Sequence, residues 1–98
     1  MIRHIVYFTA KNPKDYDVIL NGLRRLAEIP HTLHFEVGEN RKLDKISAEG
    51  PDFVVYAEFA DDAALDAYKA HPIYQEAIDI VRPLRDMRIA ADFLAQPA

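Results

Sequence analysis

Four stretches of the chain carry the hydrophobic pattern of strands, either as an alternation of apolar and polar positions or as a run of β-branched and aromatic residues. They cover residues 2–9, 33–38, 53–59 and 87–94. A polar loop over residues 39–52 separates the second stretch from the third. The pattern therefore predicts four strands, the middle two being consecutive along the chain.

Helical spacing of apolar residues fills the gap between the first two strands. The apolar positions run from Tyr16 to Ala27, after Asn12 and Pro13, which are typical of a helix cap and a first turn. This helix is expected to end before Pro30. Its position predicts a crossover connection between the first two strands.

A second helical segment follows the third strand. Asp61 is placed to cap it, and Ala64, Leu65 and Tyr68 are expected to face inward. Pro72 interrupts the pattern, so that His71 is expected to mark a kink or a restart, and a short helix is expected over residues 72–81.

The resulting order of elements is β-α-β-β-α-β over one domain, residues 1–98, of the α+β class. Right-handed crossovers favour a ferredoxin-like, four-stranded antiparallel sheet with its helices on one face. The other face is expected to be polar in a monomer, yet Ile5 and Tyr7 of the first strand and Val54 and Tyr56 of the third point to it. Two such sheets packed face to face would form a dimeric α/β barrel, so a homodimer is predicted.

Composition narrows the classes of function. The net charge is −4 and the basic residues are scattered, including Arg82, Arg85 and Arg88, which are interpreted as solvated surface charge; a nucleic-acid partner is not expected. No apolar run is long enough for a membrane helix, and no signal peptide is recognised, so a cytoplasmic protein without a membrane partner is expected. The chain has no cysteine, and its histidines lack ligand spacing; no metal or other cofactor is predicted.

Short motifs along the whole chain resemble the stress-responsive dimeric α/β-barrel (Dabb) domain family, a Tyr-x-x-His-Pro motif after the third strand being the most specific. The matching pieces are Arg3-His4-Ile5-Val6, Phe35-Glu36-Val37-Gly38 with Asn40, Gly50-Pro51-Asp52-Phe53, Glu58-Phe59, Tyr68-Lys69-Ala70-His71-Pro72 and Ala91-Asp92-Phe93. The resemblance implies a homodimeric barrel with a pocket between sheet and helices. One plant member closes a linear polyketide by an aldol reaction with a tyrosine and a histidine.

The residues of this chain match that plant cyclase only in part. Tyr68 matches the family tyrosine, but Tyr74 stands where the cyclase has its histidine, and Gly22 stands at about the place of a second pocket tyrosine. A phenol cannot replace an imidazole as a base at neutral pH without a large shift in pKa. The resemblance therefore implies the barrel and the pocket, and not that particular reaction.

A different pair offers acid–base chemistry. His4, early in the first strand, and Asp92, late in the last, lie opposite each other in this topology, and a carboxylate fixes the tautomer of an imidazole beside it. The pair is predicted either to serve as a base with Tyr68 or to be a buried polar pair that stabilises the strand ends. The further ligand contacts predicted are His71, Tyr74, Val55 and Phe53. His71 has an alternative role as the cap of the short helix.

Three hypotheses of function follow. The first is a stress-responsive barrel protein that holds a small apolar molecule, with cofactor-free proton transfer on a carbonyl compound if it is an enzyme. The second is a non-catalytic stress or assembly protein whose pocket is filled core. The third is a monooxygenase-like or haem-handling relative, in which His71 would be the axial ligand.

Overall fold

Four strands and three α-helices make up the computed structural model, which describes residues 1–46 and 49–97. The strands are β1 Ile2–Ala10, β2 His34–Glu39, β3 Phe53–Phe59 and β4 Arg85–Leu94. The helices are α1 Tyr16–Arg24, α2 Asp62–Ala70 and α3 Pro72–Val81, and short 3-10 turns, Pro13–Asp15 and Arg25–Glu28, flank α1. No helix within the described ranges is long and apolar enough to cross a membrane.

The helix boundaries are set by the residues that the sequence indicated. The Asp61 carboxylate accepts a hydrogen bond from the backbone N–H of Ala64 at 2.9 Å and so caps α2. His71 is extended, ends α2 and caps α3, its Nδ1 accepting from the N–H of Ile73 at 3.1 Å. Of the two alternatives predicted at His71, the structure shows the restart: α2 ends there and α3 begins as a separate helix.

The strands form one antiparallel sheet in the order β2-β3-β1-β4, which confirms the ferredoxin-like arrangement. β1 and β4 pair over nearly their whole length, so that His4 lies opposite Asp92 and Phe8 opposite Arg88. β4 begins at Arg85, two residues before the predicted start, because Arg85 pairs with Ala10 beyond a register shift in β1. An apolar pattern cannot detect that extension, since Arg85 and Asp86 are both polar.

The core lies between the sheet and the helices. One face of β3 is completely buried there, and it packs with α1 and α2 residues including Ile19, Leu23 and Tyr68. Gly22 in α1 allows α3 to approach, since a Cβ at this position would lie 3.0 Å from the Cγ2 atoms of both Ile80 and Val81. Gly22 therefore makes room for a neighbouring helix.

The face of the sheet turned away from the helices, which we call the open face, is apolar at its centre. It carries side chains of β1, β3 and β4: Ile5, Tyr7, Val54, Ile89 and Phe93. Ile89 is 54% exposed and Phe93 46%. Towards β2 the open face becomes polar, where the Arg3 guanidinium donates to the Tyr56 hydroxyl at 2.6 Å and to Glu58 Oε2 at 2.8 Å. An apolar patch of this kind is typical of an interface.

Asp52 joins the loop before β3 to the end of β1, and its charge makes fold stability depend on pH. Burial opposes ionisation, but hydrogen bonds from Lys42 Nζ at 2.6 Å and from the Ala10 N–H at 2.9 Å outweigh it and lower the pKa of Asp52. A carboxyl group with a lowered pKa stabilises the fold above its ordinary pKa, and that contribution is lost as the pH falls through the folded value.

We expect Asp52→Asn to lower the free energy of unfolding by about 1 kcal/mol at neutral pH, because the charge-assisted bonds are lost. The difference from wild type should shrink as the pH falls below 3.8, the ordinary value for aspartate. Urea unfolding at several pH values measures both quantities, with the exposed Asp66→Asn as the matched control. A difference that does not change with pH would show that the Asp52 charge is not the source.

Candidate functional site

A cavity of about 270 Å³ opens between the β1–β4 side of the sheet and the helices. This volume is just below the roughly 300–1,000 Å³ range of small-molecule sites. Its walls are mostly apolar and come from β1, β3, α1, the following 3-10 turn and α3. These wall residues are Val6, Phe8, Leu23, Leu26, Val55, Ala77, Ile78 and Val81.

His4 and Asp92 form a hydrogen-bonded pair at the cavity. His4 is 2% exposed, and its Nδ1 lies 2.5 Å from Asp92 Oδ1, as expected for residues opposite each other on β1 and β4. Because a carboxylate only accepts, Nδ1 carries the proton and donates it, and the lone pair of the neutral ring is on Nε2. The pair therefore selects the tautomer in which Nε2 can accept a proton.

The Nε2 atom of His4 faces the cavity. In residues 1–46 and 49–97 no group forms a hydrogen bond with this nitrogen, although every fully buried side-chain nitrogen or oxygen there has a partner. Nε2 is therefore not enclosed in the packed core, and His4 is one of the residues that line the cavity. A ligand in the cavity would meet an unpaired basic nitrogen.

Tyr68 lies beside His4, with 6.3 Å between the ring centroids. Its side chain is only 1% exposed, yet within the described part of the chain its hydroxyl has no hydrogen-bond partner. By the same reasoning as for Nε2, the hydroxyl reaches the cavity that Tyr68 lines. Burial, and then the nearby Tyr74, raise the pKa of Tyr68 above its ordinary value, so the phenol remains a hydrogen-bond donor at neutral pH.

Aromatic contacts hold these groups in place. Between ring centroids, Tyr68 lies 5.0 Å from Phe59 and 5.3 Å from Tyr74, and His4 lies 6.0 Å from Phe59. Tilted and edge-on contacts of this kind restrict ring rotation. The basic nitrogen and the phenol are therefore positioned by packing as well as by Asp92.

The structure places two of the predicted ligand contacts away from the cavity. Phe53 is completely buried and packs on Tyr16, with 4.3 Å between ring centroids. The Nδ1 of His71 is used in capping α3. Neither residue lines the cavity, whereas the predicted contacts Tyr74 and Val55 do. His71 therefore has the capping role that its position before Pro72 also predicted.

Three arginines at the cavity were interpreted from the sequence as surface charge. Arg82 follows α3, while Arg85 and Arg88 lie on β4, and all three line the cavity. Arg82 and Arg88 are also exposed to solvent, in agreement with that interpretation, and Arg85 is half-buried. One sequence signal indicates this position for Arg88. It is four residues before Asp92 on the same strand, and alternation places the two on one face.

Metal ligation has no support in the described residues, where no group of three or more His, Asp or Glu side chains is arranged to hold an ion. In the described part of the chain, the site therefore contains one imidazole–carboxylate pair, the phenols of Tyr68 and Tyr74, an apolar wall and the three arginines.

Comparison with known proteins agrees with the fold and the motifs. A model of the Stress Responsive A/B Barrel Domain (Dabb) family matches residues 2–95. The stress-response A/B barrel domain-containing protein DABB1 of Arabidopsis thaliana is 24% identical over 103 residues, which cover 100% of this chain and 49% of that protein. The chain thus spans about half the length of this curated relative.

Solved structures share the architecture. A dimeric ferredoxin-like protein of unknown function from Thermobifida fusca is 28% identical, with a TM-score of 0.81 over 96% of this chain and 90% of its own. An antibiotic biosynthesis monooxygenase is 20% identical, with a TM-score of 0.80 over 99% of this chain and 100% of its own. At the latter identity the likeness shows the fold alone.

Proposed function

We propose, from the premise that this chain belongs to the stress responsive A/B barrel domain family, that it forms a homodimer and binds a small, largely apolar carbonyl compound in the cavity of each subunit. The apolar open face and the dimeric state of the Thermobifida fusca structure support the dimer. Packing open face on open face leaves the cavities accessible, since they lie on the other side of each sheet.

The proposed chemistry is proton transfer without a cofactor. His4 Nε2 takes a proton from the carbon beside the carbonyl group, and the electrons of that C–H bond form the C=C bond of an enolate. The carbonyl oxygen receives the negative charge and accepts a hydrogen bond from the Tyr68 hydroxyl. Asp92 remains ionised and stabilises the imidazolium. Return of the proton from His4 Nε2 to carbon completes an exchange reaction. Alternatively, the enolate carbon attacks a second carbonyl group, and the alkoxide that forms takes the proton back from His4 Nε2.

One observation carries this proposal: His4 Nε2 and the Tyr68 hydroxyl, neither of which has a hydrogen-bond partner in the described residues, both reach the same cavity. Unpaired polar groups cost free energy in an apolar environment unless a ligand or water satisfies them. A purely structural histidine–aspartate pair needs neither a cavity nor a neighbouring free phenol. The open volume also argues against the alternative of a filled, inert core.

Binding can be tested with 4-phenylbutan-2-one, a ketone with an aromatic body, by NMR titration of the amide signals. We expect saturable shifts at residues of the cavity wall. Ala77→Leu adds bulk at the wall and should weaken binding, whereas Ala63→Leu, at an exposed position of α2, should leave binding unchanged. The absence of saturable shifts at the cavity wall would contradict the binding of a neutral carbonyl compound at this site.

A further inference from the structure

The arginines at the cavity extend the proposed function to a class of ligand. Arg82, Arg85 and Arg88 line one cavity of a chain whose net charge is −4. In the described residues no carboxylate lies within ion-pair distance of any of the three, although Arg3 and Arg25 both have acidic partners. Three unpaired cations around one opening repel each other until an anion is present.

Two kinds of polar group line the cavity. Asp92 on β4 lies opposite His4 on β1, and the backbone of Arg88 lies four residues from Asp92 along β4, which is about 13 Å. The Arg88 guanidinium nevertheless reaches the surroundings of Tyr68, because burial raises the pKa of that phenol and the Arg88 charge opposes the rise. Val6 and Val55 contribute apolar wall. A molecule in this cavity would therefore meet a basic nitrogen and a phenol together with guanidinium groups.

Helix electrostatics explain the position of only one of the three arginines. The partial negative charge at the end of a helix favours a cation within its last turn, and Arg82, directly after α3, has that position. Arg88 is on β4 and lies 6.0 Å above the Phe8 ring, a contact that holds its charge at the cavity without neutralising it. Arg85, also on β4, donates only to the backbone carbonyl of Asp86.

We infer that the ligand is an amphipathic organic acid, whose carboxylate binds the arginines while its apolar body fills the cavity towards His4 and Tyr68. This inference rests on the proposed function and specifies its substrate class. The planar guanidinium group matches a carboxylate in a two-point hydrogen-bonded pair, and an apolar wall beside the pair strengthens the attraction. A neutral molecule of the same shape would leave the guanidinium groups unpaired.

The matched probes are 4-phenylbutanoate and its uncharged amide, 4-phenylbutanamide, with affinities measured by isothermal titration calorimetry. The affinity of wild type for the acid should be at least about tenfold higher than its affinity for the amide, and added salt should reduce this difference in affinity. Arg85→Gln with Arg88→Gln should abolish the preference. The control variant, Arg24→Gln with Arg41→Gln, removes the same charge at exposed positions outside the cavity and should retain it.

The outcomes separate this inference from the function on which it rests. Equal binding of acid and amide, or a preference lost equally in both double variants, would overturn the organic-acid assignment and leave a cavity that binds apolar molecules. Failure of both probes and of 4-phenylbutan-2-one to bind wild type would refute the binding function itself. Thermal unfolding of each variant shows whether it is folded. If the variant with Arg85→Gln and Arg88→Gln is not folded, Arg88→Lys takes its place. This substitution keeps the charge but not the two-point geometry, and it should reduce the preference for the acid over the amide.

Discussion

Replacing Val54 with aspartate is expected to convert the protein from a dimer into a monomer at micromolar concentration. Val54 lies on the open face in β3, and twofold symmetry would place two new carboxylates in the interface. Unpaired charges in an apolar interface cost several kcal/mol, so the dissociation constant should rise by roughly a hundredfold or more. Sedimentation velocity measures the change.

Val18→Asp is the matched control, because it introduces the same change at a position on α1 that is 48% exposed and lies on the other side of the sheet. This variant should sediment like wild type. A wild-type protein that is already a monomer, or a Val54→Asp variant that remains a dimer, would contradict the assignment of the open face as the interface. Circular dichroism shows whether each variant is still folded.

Replacing His4 with asparagine is expected to slow proton transfer by roughly 10²–10⁴-fold. The reaction to follow is exchange of the protons beside the carbonyl group of 4-phenylbutan-2-one for deuterium, observed by NMR in heavy water. The asparagine amide can still donate to Asp92 where Nδ1 did, but nothing replaces Nε2. The substitution therefore removes the base and keeps the contact between β1 and β4.

His31→Asn makes the same change at an exposed histidine outside the cavity and should leave the exchange rate unchanged. Tyr68→Phe should also slow exchange, because the enolate oxygen loses its hydrogen bond, while the aromatic packing stays. If His4→Asn binds the ketone and exchanges its protons as fast as wild type does, His4 is not the base. If wild-type protein exchanges the protons of the ketone no faster than buffer alone does, the site binds the ketone without catalysing proton transfer.

The sequence predicts the fold well because its signals are local. The hydrophobic pattern predicts both ends of β3 correctly, at Phe53 and Phe59. The predicted caps at Asp61 and His71 lie at the helix boundaries of the structure. The pairing of His4 with Asp92 follows from strand order and register, which the element order already implies. The segment after α1 is not predicted correctly. The sequence pattern predicts one continuous helix that ends before Pro30, whereas in the structure the chain forms a 3-10 turn from Arg25.

The candidate site is only partly predictable, because a cavity depends on how elements pack and not on what each contains. Phe53 and Val55 lie on the same face of β3, yet Phe53 is enclosed by Tyr16 while Val55 reaches the cavity. The arginines illustrate the same limit. Arg82 and Arg88 come from different elements, and only the turn between α3 and β4 brings them to one opening. A sequence alone does not distinguish an arginine that lines a cavity from one that lies elsewhere on the surface.

The most direct test of the central claim is to locate the bound ketone by NMR. Intermolecular nuclear Overhauser effects between 4-phenylbutan-2-one and the labelled protein report pairs of protons in close contact. We expect cross-peaks to the ring protons of His4 and Tyr68, together with the methyl groups of Val55 and Val81, all of which line the cavity. Cross-peaks to Tyr7, Ile89 and Phe93 of the open face alone, with none to His4 or Tyr68, would contradict the central claim.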